Sequence, residues 1–106
     1  MGLEATNAID SIGTEKDTGI VVMTILDSWN WTDPDAHLRA LQAKLNTYLN
    51  FVSSGQILED YPQAADRPLR LDILARFDIP DDADELIRQA RIVVENLGFT
   101  LTHQKL

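Results

Sequence analysis

Few residues in this chain of 106 have the type and spacing to do chemistry, and each has an ordinary structural role to weigh against it. His37 and His103 are the only histidines, and with nearby carboxylates they could hold zinc. Zinc-binding histidines fall in runs such as H-E-x-x-H, and neither does. On a helical wheel His37 flanks an apolar stripe beside Tyr48, and both histidines are expected as satisfied surface or edge residues. Asp78, Asp81, Asp82, Asp84 and Glu85 form the densest acidic cluster. The Gly and distal Glu of an EF-hand are missing, and carboxylates in a first helical turn are what capping and the helix dipole favour. Glu59-Asp60-Tyr61 could line a pocket, with Tyr61 and Asp60 as an acid–base pair; the plain role is a turn held by an anchored Tyr. Ser53-Ser54-Gly55 and Ser11-Ile12-Gly13 are too short to cradle phosphate. Neither a G-x-S-x-G elbow nor a cysteine nucleophile is present.

Four residues suit contact rather than catalysis. Trp29 and Trp31 lie two apart and share a face in extended chain. They either pack over the following helix or form a binding surface, since Trp is favoured at contact centres. Ile92 falls opposite the apolar stripe of its helix, among Glu85, Arg88, Glu95 and Asn96. Phe51 sits off the stripe of the long helix, in a row with His37 and Lys44. Both are candidate anchors for a partner or for a second copy of the chain as a two-fold dimer.

The elements that must position these residues are readable. Asp33 to Gly55 is one helix with both ends marked. Asp33-Pro34-Asp35 opens it, and Gly55 suits the left-handed residue beyond its end. Leu38, Leu41, Leu45, Tyr48, Leu49 and Val52 recur at steps of three and four, which is one apolar stripe. Residues 1–7 are expected as a loose N-terminal tail, and 8–106 as a single domain. Ala8–Thr14 alternates weakly, as a short strand. Glu15–Gly19 is a hairpin turn, and Ile20–Asp27 is a β-branched run covered on both faces at least in part. Gln56–Tyr61 is short and is expected to be extended. Leu69–Phe77 alternates as a strand, with Arg70, Asp72, Leu74 and Arg76 facing solvent. Asp81 to Leu97 is a second helix with Gly98 as its stop, striped by Ala83, Leu86, Ile87, Ala90, Val93, Val94 and Leu97. Phe99–His103 closes as a strand. The fold expected is α+β, a two-layer sandwich with two helices on one face of a four- to five-stranded mixed sheet. If Gln56–Tyr61 is a strand, the core becomes a ferredoxin-like variant.

Composition narrows the partners. The formal charge is −8, from 17 acidic and 9 basic residues, and the basic residues are scattered. Nucleic acid and anionic membrane are therefore poor partners, whereas a basic protein is electrostatically compatible. No apolar run is long enough to span a bilayer. The absence of cysteine excludes disulfides and thiolate metal sites and fits a reducing, cytoplasmic compartment. No cofactor is expected, and no metal or nucleotide should be needed for folding.

Leu45-Asn46-Thr47-Tyr48-Leu49, Phe51-Val52-Ser53-Ser54-Gly55-Gln56-Ile57 and Glu59-Asp60-Tyr61-Pro62 resemble a family of small bacterial proteins of unknown function. The resemblance extends to Asp27, Trp31 and Asn96-Leu97-Gly98-Phe99. It implies a bacterial cytoplasmic domain and brings no substrate, cofactor or catalytic residue. The function expected is a non-enzymatic protein–protein interaction domain, self-associating or acting as an acidic inhibitor of a basic partner. The alternative is a small-ligand-binding domain or minor enzyme using Trp29, Trp31 and Glu59–Tyr61.

Overall fold

In the computed structural model, which describes residues 2–106, the long helix α1 spans Pro34–Ser53. Asp33 is its N-cap and accepts from the Ala36 N–H at 3.2 Å, with Pro34 in the first helical position. Gly55 stops it in the left-handed region at φ +84°, a conformation that costs a side chain dearly and Gly nothing. Four strands complete the frame: β1 (Ser11–Thr14), β2 (Val21–Asp27), β3 (Leu69–Ala75) and β4 (Thr100–Lys105). The other helices are α2 (Gln56–Asp60) and α3 (Asp81–Asn96). Gly98, at φ +91°, follows α3 as Gly55 follows α1.

The result is an α+β chain with a four-stranded mixed sheet in the order β1-β2-β3-β4. β1 and β2 form an antiparallel hairpin, while β2, β3 and β4 run parallel. Parallel neighbours need crossovers, and α1 and α3 supply them. Val21, Met23 and Ile25 of β2 are buried, as are Leu71, Ile73 and Ala75 of β3. Most of these join Leu41, Leu45 and Tyr48 of α1 and Ile87 and Val94 of α3 in one core cluster. The alternate residues Val22, Thr24, Leu26, Arg70 and Leu74 are more exposed, but Asp72, expected to face solvent, is buried, and Phe77, expected within the strand, lies exposed beyond its end at Ala75.

Three expectations are corrected. Gln56–Tyr61 is not a strand but the short helix α2 and its cap. The left-handed Gly55 lets the chain turn at once into a new helical turn. Ser54 Oγ accepts from Gln56 N–H, and Gln56 bonds Asp60 four residues on at 2.9 Å. With a helix there and β2, β3 and β4 parallel, the ferredoxin-like order does not occur. Residues 2–7, expected as part of a loose tail, are held in place by turns, with Leu3 buried and the Gly2 N–H donating to Asp10 at 2.8 Å. The stripe on α3 is narrower than expected: Ala83, Ile87, Ala90 and Val94 are buried, but Val93 and Leu97 are exposed.

Leu45 is fully enclosed in the centre of α1. Leu45→Ala is expected to lower stability by about 2–5 kcal/mol through lost transfer energy and a residual cavity. Denaturant titration measures this, and an unchanged midpoint would mean that the α1 stripe does not face the core.

Candidate functional site

Helix α1 presents a polar row at seven-residue spacing, His37 and Lys44, continued by Phe51, and all three are buried. Burying charge is costly unless it is paired and fully hydrogen-bonded. Both polar residues meet that condition. The Lys44 side chain is 0% exposed, and its ammonium donates to Ala5 O, Ala8 O and Asp10 Oδ1, each at 2.7 Å. Three donors meet three acceptors. Asp10 also accepts from the Gly2 and Leu26 N–H groups. Burial pushes the Asp10 carboxyl up, but the bonds from Leu26, Lys44 and Gly2 outweigh it and hold the group below the usual carboxylate range. One turn on, Thr47 Oγ1 donates to Thr6 O, and Tyr48 OH accepts from Asp10 N–H while donating to Thr24 O. Burial keeps the Tyr48 phenol protonated well beyond the ordinary range. Lys44, Thr47 and Tyr48 therefore stitch residues 2–10 onto the sheet.

His37 is the second buried centre, not the surface or edge histidine expected; its side chain is 1% exposed and that of Asp27 is 3% exposed. Nδ1 faces Asn30 O at 2.9 Å, and Nε2 faces both Asp27 carboxylate oxygens at 2.7 and 2.8 Å. A carbonyl can only accept, so Nδ1 carries a proton. Nε2 stands against the Asp27 carboxyl as its other hydrogen-bond partner. Trp31 stacks on the imidazole at 3.5 Å between centroids, and Trp29 meets it edge-on. Trp29 also donates from Nε1 to Glu4. This is an enclosed junction between the end of β2 and the start of α1.

The other candidates separate. Trp29 lines a shallow cleft with Ser28, Asn30 and Ala36 at the end of β2. Tyr61 bonds Thr14 Oγ1 at 2.7 Å, and Thr14 pairs with Val21 at the start of β2. The tryptophans and Glu59–Tyr61 therefore lie at opposite ends of that strand and do not share a pocket. Glu59 is exposed. Ile92 stands 60% exposed on α3, beside exposed Val93 and Leu97. Phe51 is only 9% exposed, so it is no projecting anchor. It instead lines an open groove of about 680 Å³ between β1 and the adjoining ends of α1 and α2. Ile9, Ile12, Thr47, Asn50 and Asp60 line it too. The fold thus brings together Phe51 and Asp60, which come from two separate readings of the sequence, and adds Ile9, Ile12 and Asn50, which carry no motif.

On the exposed side of the sheet, Arg70 bridges Glu15 at 2.9 Å and Asp72 at 2.8 Å, and Thr102 donates to Asp72 at 2.6 Å. These bonds hold the Glu15 carboxyl low and the Arg70 guanidinium high. Among the described residues no three His, Asp or Glu side chains converge as a metal site, no buried side-chain polar atom lacks a partner, and no helix is long and apolar enough to cross a membrane.

His103 lies on β4, partly buried. Burial lowers its basicity, against the opposing pull of Asp84 and Asp27. The unfolded chain takes up this proton near pH 6.5 and the folded chain only below that, so folding stability falls as pH drops through about 6.5 toward the lower folded value. His103→Gln is expected to flatten that part of a melting-temperature profile between about pH 5 and 8. A profile of unchanged slope would remove His103 from the account.

Along residues 1–106 the chain matches a family of unknown function, DUF6572, and belongs to it. No curated protein and no solved structure matches.

Proposed function

We propose that the chain is a non-enzymatic protein–protein interaction domain whose contact surface is the groove between β1 and the ends of α1 and α2. The groove is the observation that carries this reading: it joins an apolar floor of Ile9, Ile12 and Phe51 to a polar rim of Thr47, Asn50 and Asp60. An apolar centre inside a polar rim is the anatomy of a binding patch. The buried titratable groups support it as well, since Lys44, Asp10, His37 and Asp27 spend their hydrogen bonds on fixed internal partners. Our reading of the architecture behind the groove is a two-layer arrangement, helices over one sheet face, supported by the alternating burial along β2. The lack of cysteine is in keeping with a bacterial cytoplasm. Self-association is the weaker form of the idea, because two copies each carrying −8 repel. A basic partner does not meet that barrier.

A photo-crosslinking amino acid placed at Asn50, in the groove, and separately at Gln89, on α3, tests the proposal. In extract of the native host, Asn50 is expected to trap a discrete protein adduct that Gln89 does not. Adducts of equal yield at both positions, or none at Asn50, would overturn it.

A further inference from the structure

We propose that the occupant of this groove is an extended segment of a partner protein, bearing lysine or arginine, that adds as a strand to the free edge of β1; this rests on the interaction reading above. The backbone provides the first ground. β1 is the outer strand of the sheet, paired on one side only among the described residues. Glu15 N–H donates to Ile20 O at 2.8 Å, and the register then alternates along the hairpin. In an antiparallel pair the bonded residues recur every second position, so Ser11 and Gly13 turn their N–H and C=O toward β2. Ile12 and Thr14 turn theirs outward. Two donors and two acceptors, two residues apart, are what an added strand engages.

The second ground is the character of that edge. Proteins blunt exposed edges with lysine, proline or a bulge. β1 reads Ser-Ile-Gly-Thr and carries neither charge nor proline, whereas the opposite edge strand β4 ends in Lys105. A side chain built on Gly13 would meet nothing within 4 Å, so the sheet face away from the groove is uncrowded at this strand. The groove lies directly beside this edge, and an extended peptide sends every second side chain one way. Ile9, Ile12 and Phe51 offer an apolar floor for those side chains.

Charge selects among occupants. No Lys or Arg lines the groove. Of its two carboxylates, Asp10 is neutralised by buried Lys44, which leaves Asp60 and its neighbour Glu59 on an acidic chain. A cationic segment is attracted, and an acidic segment or a second copy of this chain is repelled.

The probe is the heptapeptide Lys-Val-Lys-Val-Lys-Val-Lys with blocked ends, compared with its Glu-Val counterpart and with two versions N-methylated at alternate amides, one in each frame. Amide chemical shifts of the whole chain give the site and the affinity. The lysine peptide is expected to bind and to shift Ile12 and Thr14. Methylation in the frame that faces β1 removes two hydrogen bonds and should weaken binding about tenfold or more, with the other frame unaffected. The glutamate peptide should bind more weakly still. No binding by the lysine peptide, equal binding by both methylated frames, equal binding by the glutamate peptide, or shifts elsewhere would each overturn strand addition. The two proposals fail separately. A protein trapped at Asn50 with no peptide binding leaves the interaction reading standing without strand addition. Nothing trapped at Asn50 removes the interaction reading itself.

Discussion

Lys44→Met should destabilise the fold by about 3–5 kcal/mol, the cost of leaving one partner of a buried ion pair uncompensated. Methionine nearly fills the lysine's volume, so a cavity adds little. What is lost is the cation facing Ala5 O, Ala8 O and Asp10, with both charged side chains fully enclosed. Asp10 would keep only its bonds from Gly2 and Leu26. Combining Lys44→Met with Asp10→Leu should recover a large part of the loss, because replacing both ions with apolar groups removes the stranded charge. Denaturant midpoints of the two single variants and the double variant give the coupling directly. A Lys44→Met loss below about 1 kcal/mol would mean that the pair is solvated and that Lys44 does not hold residues 2–10. Acid should act on the same pair. Asp10 titrates below its unfolded value, so its contribution is fully present above about pH 4 and is lost as pH falls through the lower folded value.

His37→Ala should cost a similar amount, about 3–5 kcal/mol, for a different mixture of reasons. It strands the Asp27 carboxyl and leaves Asn30 O without its donor. It also removes the ring on which Trp31 stacks. His37→Phe separates these losses: the stack survives and the hydrogen bonds do not. Trp29 and Trp31 are the only tryptophans and both touch His37, so their emission reports this junction alone. A shift to longer wavelength is expected for His37→Ala and a smaller one for His37→Phe. If both variants melt with the wild type, the junction is not a structural centre.

The sequence displays the ends of α1 openly because capping is local chemistry: Asp33, Pro34 and Gly55 act within one turn. The hairpin and the glycine after α3 are legible for the same reason, whereas the alternation expected over Leu69–Phe77 fails at Asp72, which is buried on the face expected to be solvated. His37 is misjudged from sequence, and Lys44 passes without a role, because their partners are remote. Lys44 meets Asp10, and His37 meets Asp27, across tertiary contacts that no helical wheel displays. On the wheel they form a polar margin, whereas in the fold they widen the buried face and carry Phe51 inward with them. Residues 56–61 mislead by length. So few residues carry almost no periodicity, and the left-handed Gly55 before them decides the outcome. The groove is invisible to motif reasoning because its lining comes from the approach to β1, the end of α1, and α2. Phe51 and Asp60 are each noticeable in the sequence, but nothing there says that they are neighbours.

The central claim is that β1 presents an unoccupied edge beside the groove, and amide hydrogen exchange in the free chain tests it without any partner. Ile12 and Thr14 should exchange quickly, while Gly13, turned toward β2, should be protected in line with the stability of the hairpin. Protection at Ile12 and Thr14 equal to that at Gly13 would mean that the edge is already covered, and would contradict the account.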